Sequence, residues 1–254
     1  MTTSWLPFYK PNPHAKLRMF CFPYAGGSAL TYRTWADELE TFVEVCPFQL
    51  AGRGARMAEP LQTHMPTLVQ SIYQDILPFL DKPFVFFGHS MGALLSFELA
   101  RLLRKEHGEN GPAPEHLFVS ATEAPHQRQK EPRLSELPYD ELVPELRRFN
   151  GMPKEVLENE ELMHLLLPML RADFTLCDAY EYIPEPPLAC PMTVFRGLED
   201  HEVKREELEA WKEQTTGPFS IRMLPGDHFY IHASQALLLR VLSQELRRIA
   251  DRIS

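Results

Sequence analysis

A chain of 254 residues is long enough to bury one large core, and 44% hydrophobic with 24% charged residues reads as a single folded domain, neither disordered nor fibrous. With 35 acidic against 26 basic side chains the formal net charge is -9, which argues against a general nucleic-acid partner, since phosphate contacts need clustered Lys and Arg. The N-terminal stretch lacks the apolar run of a secretory signal and no apolar stretch can span a bilayer, so no membrane partner is expected and the cytoplasm is the expected compartment.

Along the chain, the first apolar run, Leu17–Pro23, suits a buried strand and leads into Tyr24-Ala25-Gly26-Gly27-Ser28, where two glycines let backbone approach a bound molecule closely. Further strands are predicted at Phe42–Phe48, Phe84–Gly88, Leu117–Ser120, Met192–Gly197 and Ser220–Leu224, with helical patterns between most of them. Such alternation implies βαβ units and a mostly parallel sheet flanked by helices. Between Ser120 and Met192 it breaks: amphipathic helices are predicted around Tyr139–Phe149 and Glu160–Leu170 without a strand, so a helical lid is expected at about 126–187, jointed at Asn150-Gly151 and Pro184–Pro187. Cys21, Cys46, Cys177 and Cys190 are far apart with no C-x-x-C pair, which predicts packed reduced thiols and no metal site.

The third predicted strand runs through Gly88-His89-Ser90-Met91-Gly92 into a helical pattern, the context that gives G-x-S-x-G its chemistry. The turn is so tight that side chains at Gly88 and Gly92 would collide with neighbouring backbone, and it lifts the Ser90 hydroxyl clear of the sheet beside a helix N-terminus. Ser90 is therefore the candidate nucleophile of an α/β-hydrolase fold, in which an acid and then a histidine follow in chain order. His228, in the loop after the last predicted strand, is the candidate base; His232 lies a turn further on, and His89 should point away from Ser90. Asp200, after a strand and a glycine turn, is the candidate acid, with Glu199 adjacent; Asp173 is expected to cap or bond within the lid, Asp178 is a weaker candidate, and Asp227 is expected to shape the histidine loop. Two backbone N–H groups should hold the oxyanion: that of Met91, and that of Ala25 or, next to it, Tyr24.

With these residues in place the chain resembles, nearly end to end, the type II thioesterases that accompany polyketide synthases and non-ribosomal peptide synthetases. The carriers are Phe22 to Ser28, Gln49-Leu50-Ala51-Gly52-Arg53-Gly54, Gly88 to Ala93, Leu170-Arg171-Ala172-Asp173, Gly197 to Asp200 and Gly226-Asp227-His228-Phe229. Several also occur in type I domains and fatty-acid synthase thioesterases, and Leu50-Ala51 stands where the family often has Tyr-Pro or Leu-Pro. The resemblance implies hydrolysis of acyl thioesters on the phosphopantetheine arm of carrier-protein domains through an acyl-enzyme on Ser90, with no metal or bound cofactor. Tyr24, Gly26 and Phe229 are the expected substrate contacts. Leu165, Leu166 and Met169 are expected to shelter the acyl chain, and Arg53, Arg56, Lys154 or Arg171 to meet an acidic carrier protein. A carboxylesterase or lipase, a releasing or cyclising thioesterase of fatty-acid synthase type, and a non-catalytic carrier-binding module are the competing expectations.

Overall fold

The computed structural model describes residues 4–39, 41–128 and 133–253. Six strands, β1 (Leu17–Phe22), β2 (Val43–Pro47), β3 (Phe84–His89), β4 (Leu117–Ser120), β5 (Met192–Gly197) and β6 (Phe219–Leu224), form one parallel sheet of order β2-β1-β3-β4-β5-β6. Each apolar run of the sequence becomes a strand within one residue of its expected ends. The helices are α1 (Trp35–Glu38), α2 (Met65–Ile76), α3 (Met91–His107), α4 (Tyr139–Phe149), α5 (Lys154–Leu157), α6 (Glu160–Asp178), α7 (Arg205–Glu209), α8 (Tyr230–Ala233) and α9 (Gln235–Arg252).

Residues of β1 to β4 are buried throughout, because side chains alternate between two covered faces. Phe84 and Phe86 enter one core with Leu68 and Ile72 of α2 and Leu95 and Leu99 of α3. Val85 and Phe87 enter the other, with Trp35 of α1 and Leu238, Leu242 and Leu246 of α9. The helical spacing of those α9 leucines is what lets its polar remainder face water.

Between β4 and β5 come α4, α5 and α6, which share a small core of their own: Leu142, Leu146, Leu157, Met163, Leu170 and Phe174. Ala25 and Leu61 of the body pack against it. Within the range expected for a lid, residues 129–132 lie outside the described residues. Helix α6 continues through Pro168 to Asp178, past the expected Leu170. Asn150 closes α4 in the left-handed region with φ 57°, and residues 180–187 form neither helix nor strand. All four cysteines are free thiols, with Cys177 partly exposed and the others buried. Among the described residues no helix is long and apolar enough to cross a membrane, and no group of three His, Cys, Asp or Glu could hold a metal ion.

Candidate active site

Strand β3 ends at His89 and α3 begins at Met91, which leaves Ser90 alone to make the turn, at φ 51° and ψ -117°. A non-glycine residue there costs about 1–3 kcal/mol, which the surroundings must offset. They do so by closing tightly on both sides: the Ser90 N–H donates to the Ser120 carbonyl at 2.7 Å, and the Ser90 carbonyl accepts the Ala93 N–H at 2.9 Å. A Cβ on Gly88 would sit 2.1 Å from the Gly92 carbonyl oxygen, and one on Gly92 would sit 2.1 Å from that of Phe22. The two glycines thus let β3, α3 and the loop after β1 meet at the serine.

His228 follows β6, and its Nδ1–H donates to Asp200 Oδ2 at 3.1 Å. Asp200 is buried after β5, and its Oδ1 accepts the Glu202 N–H at 2.8 Å. Burial pushes the Asp200 carboxyl up, but the hydrogen bond and charge of His228, with the Glu202 N–H and Arg196, outweigh it and hold the group below the ordinary aspartate value. An ionised Asp200 fixes the proton of a neutral His228 on Nδ1 and leaves Nε2 as an acceptor. Gly197 allows this meeting, since a Cβ there would lie 2.2 Å from the carbonyl oxygens of Gly226 and Asp227. The adjacent Glu199 instead accepts the Gly226 N–H with its carboxylate.

Ser90 and His228 line one cavity of about 540 Å³, a volume suited to a small-molecule substrate. Ala25 and Met91 line it too, and among the described residues neither N–H is spent on a backbone acceptor. Such N–H groups can receive a developing oxyanion. Leu134, Leu146, Phe149, Met152, Leu170 and Phe174 supply apolar wall from the segment between β4 and β5, while Glu123, Arg128, Asp178, Glu181 and Glu202 make part of the lining polar.

The remaining candidates fall out as follows. Tyr24 and Phe229 line the cavity with rings 4.9 Å apart, and the Tyr24 hydroxyl bonds His232 Nε2 at 2.8 Å. Gly26 is not on the wall: its N–H is given to Asp173 Oδ2 at 2.7 Å. His89 is fully buried, its Nδ1 2.7 Å from Ser120 Oγ, and burial together with the charges of His228 and His232 holds it well below the usual histidine value. Asp227 accepts the Phe229 N–H at 2.8 Å, shaping the loop as expected, and also takes a bond from Asn150 Nδ2 at 2.9 Å.

Besides Gly26, four expectations need correction. Arg53 and Arg56 are each 5% exposed, Arg53 paired with Asp173 and Arg56 with Glu59, so neither can meet a partner's surface. Arg171 is turned inward to the carbonyls of Ser135 and Leu137, which leaves Lys154 as the solvent-facing one of the four. Asp173 bonds out of its helix to the body rather than within the inserted segment. Leu165 is 68% exposed, and Leu166 and Met169 pack among α4, α5 and α6; the apolar α6 wall of the cavity comes instead from Leu170 and Phe174, with Cys177 and Asp178 beyond them.

A strained serine at a strand-to-helix elbow, a carboxylate-bound histidine and a parallel sheet define an α/β-hydrolase. The sequence matches the thioesterase-domain family over residues 17–246, and the chain belongs to that family: it is an enzyme that hydrolyses thioesters. It is 43% identical over 248 residues to linear gramicidin dehydrogenase LgrE of Brevibacillus parabrevis, covering 96% of this chain and 93% of the relative. To gramicidin S biosynthesis protein GrsT of Aneurinibacillus migulanus it is 42% identical over 246 residues, covering 97% and 95%. Among solved structures, RedJ thioesterase from the prodiginine biosynthetic pathway in Streptomyces coelicolor superimposes with a TM-score of 0.86 at 37% identity over 92% of each chain.

Proposed function

We propose that this protein is a stand-alone type II thioesterase that clears acyl groups from the phosphopantetheine arm of carrier-protein domains in polyketide or non-ribosomal peptide synthesis. The observation that carries the reading is the buried Asp200–His228 pair opening onto the same cavity as the strained Ser90. In this mechanism His228 Nε2 takes the Ser90 hydroxyl proton as Oγ attacks the thioester carbonyl carbon, and the N–H groups of Met91 and Ala25 hold the resulting oxyanion. The carbon–sulfur bond breaks, the thiol leaves with the proton from His228, and Ser90 keeps the acyl group. Water then gives a proton to His228, attacks the acyl-enzyme and releases the acid, with the proton returning to Ser90.

A thiol leaves readily, so the protein's work is orientation and charge stabilisation, and the steps call on no metal or cofactor. The segment 126–187 serves as a helical lid on a single domain: Leu170 and Phe174 close the cavity with apolar surface, and Tyr24 and Phe229 contact the substrate near the ester. Activity in the cytoplasm, where such synthases work, accords with the free thiols. The name of one relative speaks of a dehydrogenase; here the loop after β1 is Pro23 to Ser28, without the G-x-G-x-x-G of a dinucleotide site.

The test of the partner is acid release, followed by mass spectrometry, from an acyl-loaded carrier protein beside a matched oxygen ester. Faster release from the carrier thioester is expected; a strong preference for the oxygen ester would replace this reading with a carboxylesterase.

A further inference from the structure

The proposed oxyanion donor Ala25 sits on a loop that has no regular structure of its own, yet a donor contributes only if it is held in place before the charge develops. What holds it comes from two distant parts of the chain. Asp173, 1% exposed on α6, accepts the Gly26 N–H at 2.7 Å on Oδ2, and both its oxygens take Arg53, Nη1 at 2.6 Å and Nη2 at 2.6 Å. Arg53 in turn donates from Nη1 to the Gly27 carbonyl at 2.9 Å and from Nε to the Ala51 carbonyl at 3.3 Å.

These bonds bracket Ala25. Its N–H shares one planar peptide unit with the Tyr24 carbonyl, and that carbonyl accepts the Gly27 N–H at 2.8 Å. Gly27 is held by Arg53 through its own carbonyl, and the next peptide unit, Ala25–Gly26, is held by Asp173 through its N–H. Neither residue lines the cavity.

We infer that Asp173 and Arg53 are positioning residues that set the Ala25 N–H for the oxyanion and tie that setting to the seating of α6. The inference rests on the proposed function, in which Ala25 is a donor. It makes the lid more than a cover: α6 can leave the body only by breaking the bidentate pair and freeing the donor loop. The fork geometry matters, because a lysine at 53 could supply charge but not the two parallel bonds to Asp173 together with those to Gly27 and Ala51.

Removing one partner leaves the other charged and buried, so Asp173→Asn and Arg53→Lys are to be made alongside the double variant Arg53→Gln/Asp173→Asn, which removes both charges and keeps the interior neutral. The readout is steady-state hydrolysis of an acyl-pantetheine thioester and of its dithioester analogue, whose carbonyl sulfur is a poor hydrogen-bond acceptor. A displaced donor loop is expected to lower kcat on the thioester by roughly 10–100-fold with KM changed by less than about 3-fold, and to shrink the thioester-over-dithioester preference. Wild-type kcat and wild-type preference in the folded double variant would overturn the proposal, whatever happened to its unfolding midpoint. Ser90→Ala is run in parallel: if it still hydrolysed the thioester, the underlying nucleophile assignment would fall, whereas an inactive Ser90→Ala beside an unaffected double variant would remove only the positioning role.

Discussion

Asp200 and Glu199 are neighbours of the same charge, and only their surroundings give them different work. Asp200 is buried against His228, whereas Glu199 accepts the Gly226 N–H from the loop after β6. Asp200→Asn should therefore preserve the fold yet present an amide N–H or oxygen where a charge is needed, so that His228 loses its tautomer and its stabilised cation. We predict a fall in kcat of roughly 10³–10⁴-fold, read by thiol release, against less than about 10-fold for Glu199→Gln. The sequence could rank these two acids because a strand and a glycine turn deliver the second of them to the sheet's edge. It could not reveal that Arg53 is buried, since its partner Asp173 is 120 positions away in the chain and nothing local to either residue records the pairing.

The serine elbow is where β3, α3 and the loop after β1 converge, and its glycines have no room to give. At Gly92 an added methyl would press on the backbone oxygens of Phe22 and Pro23, atoms that belong to the end of β1 and the loop leaving it. Gly92→Ala is predicted to destabilise by about 1–3 kcal/mol and to abolish thioester hydrolysis in the fraction that still folds, measured by urea unfolding and by activity. Helix α9 offers the contrasting case of pure packing. Leu242 is fully buried in the second core and is not among the residues that line the cavity, so Leu242→Ala should cost about 2–5 kcal/mol in urea while leaving kcat and KM near wild type. The strands were legible in the sequence because each is a short apolar run buried on both faces. Helix faces were not: one position of error along α6 turns a residue by 100°, which is why Leu165 faces solvent while Leu170 meets the cavity.

Across the whole molecule, buried histidines with lowered values make stability fall on acidification. Burial holds His116, bonded to Thr193 Oγ1 at 2.8 Å, down at about 4 from an ordinary 6.5. Between those values the unfolded chain binds a proton that the folded chain refuses, so stability falls as pH drops from about 6.5 to about 4. His89 and His232, both lowered chiefly by burial, act in the same direction. Asp75 opposes them, because its value is raised to about 6 and the folded state is the one that gains a proton there. Below the ordinary aspartate range Asp200 adds its own loss, its lowered value meaning that stability present above that range disappears as the carboxylate is protonated. Replacing His116 with Gln should flatten the dependence of the urea midpoint on pH between about 6.5 and about 4. An unchanged slope would place the acid sensitivity elsewhere.

The fold class and the site converge on one atom, Ser90 Oγ. The most direct test is thiol release from a short acyl-pantetheine thioester by the intact protein and by Ser90→Ala, with rapid acid quench and mass spectrometry of the peptide that carries residue 90. Turnover and a transient acyl adduct on that peptide are expected in the native protein, and neither in the variant. Turnover by Ser90→Ala at the native rate, or an adduct that maps to another residue, would contradict Ser90 as the nucleophile.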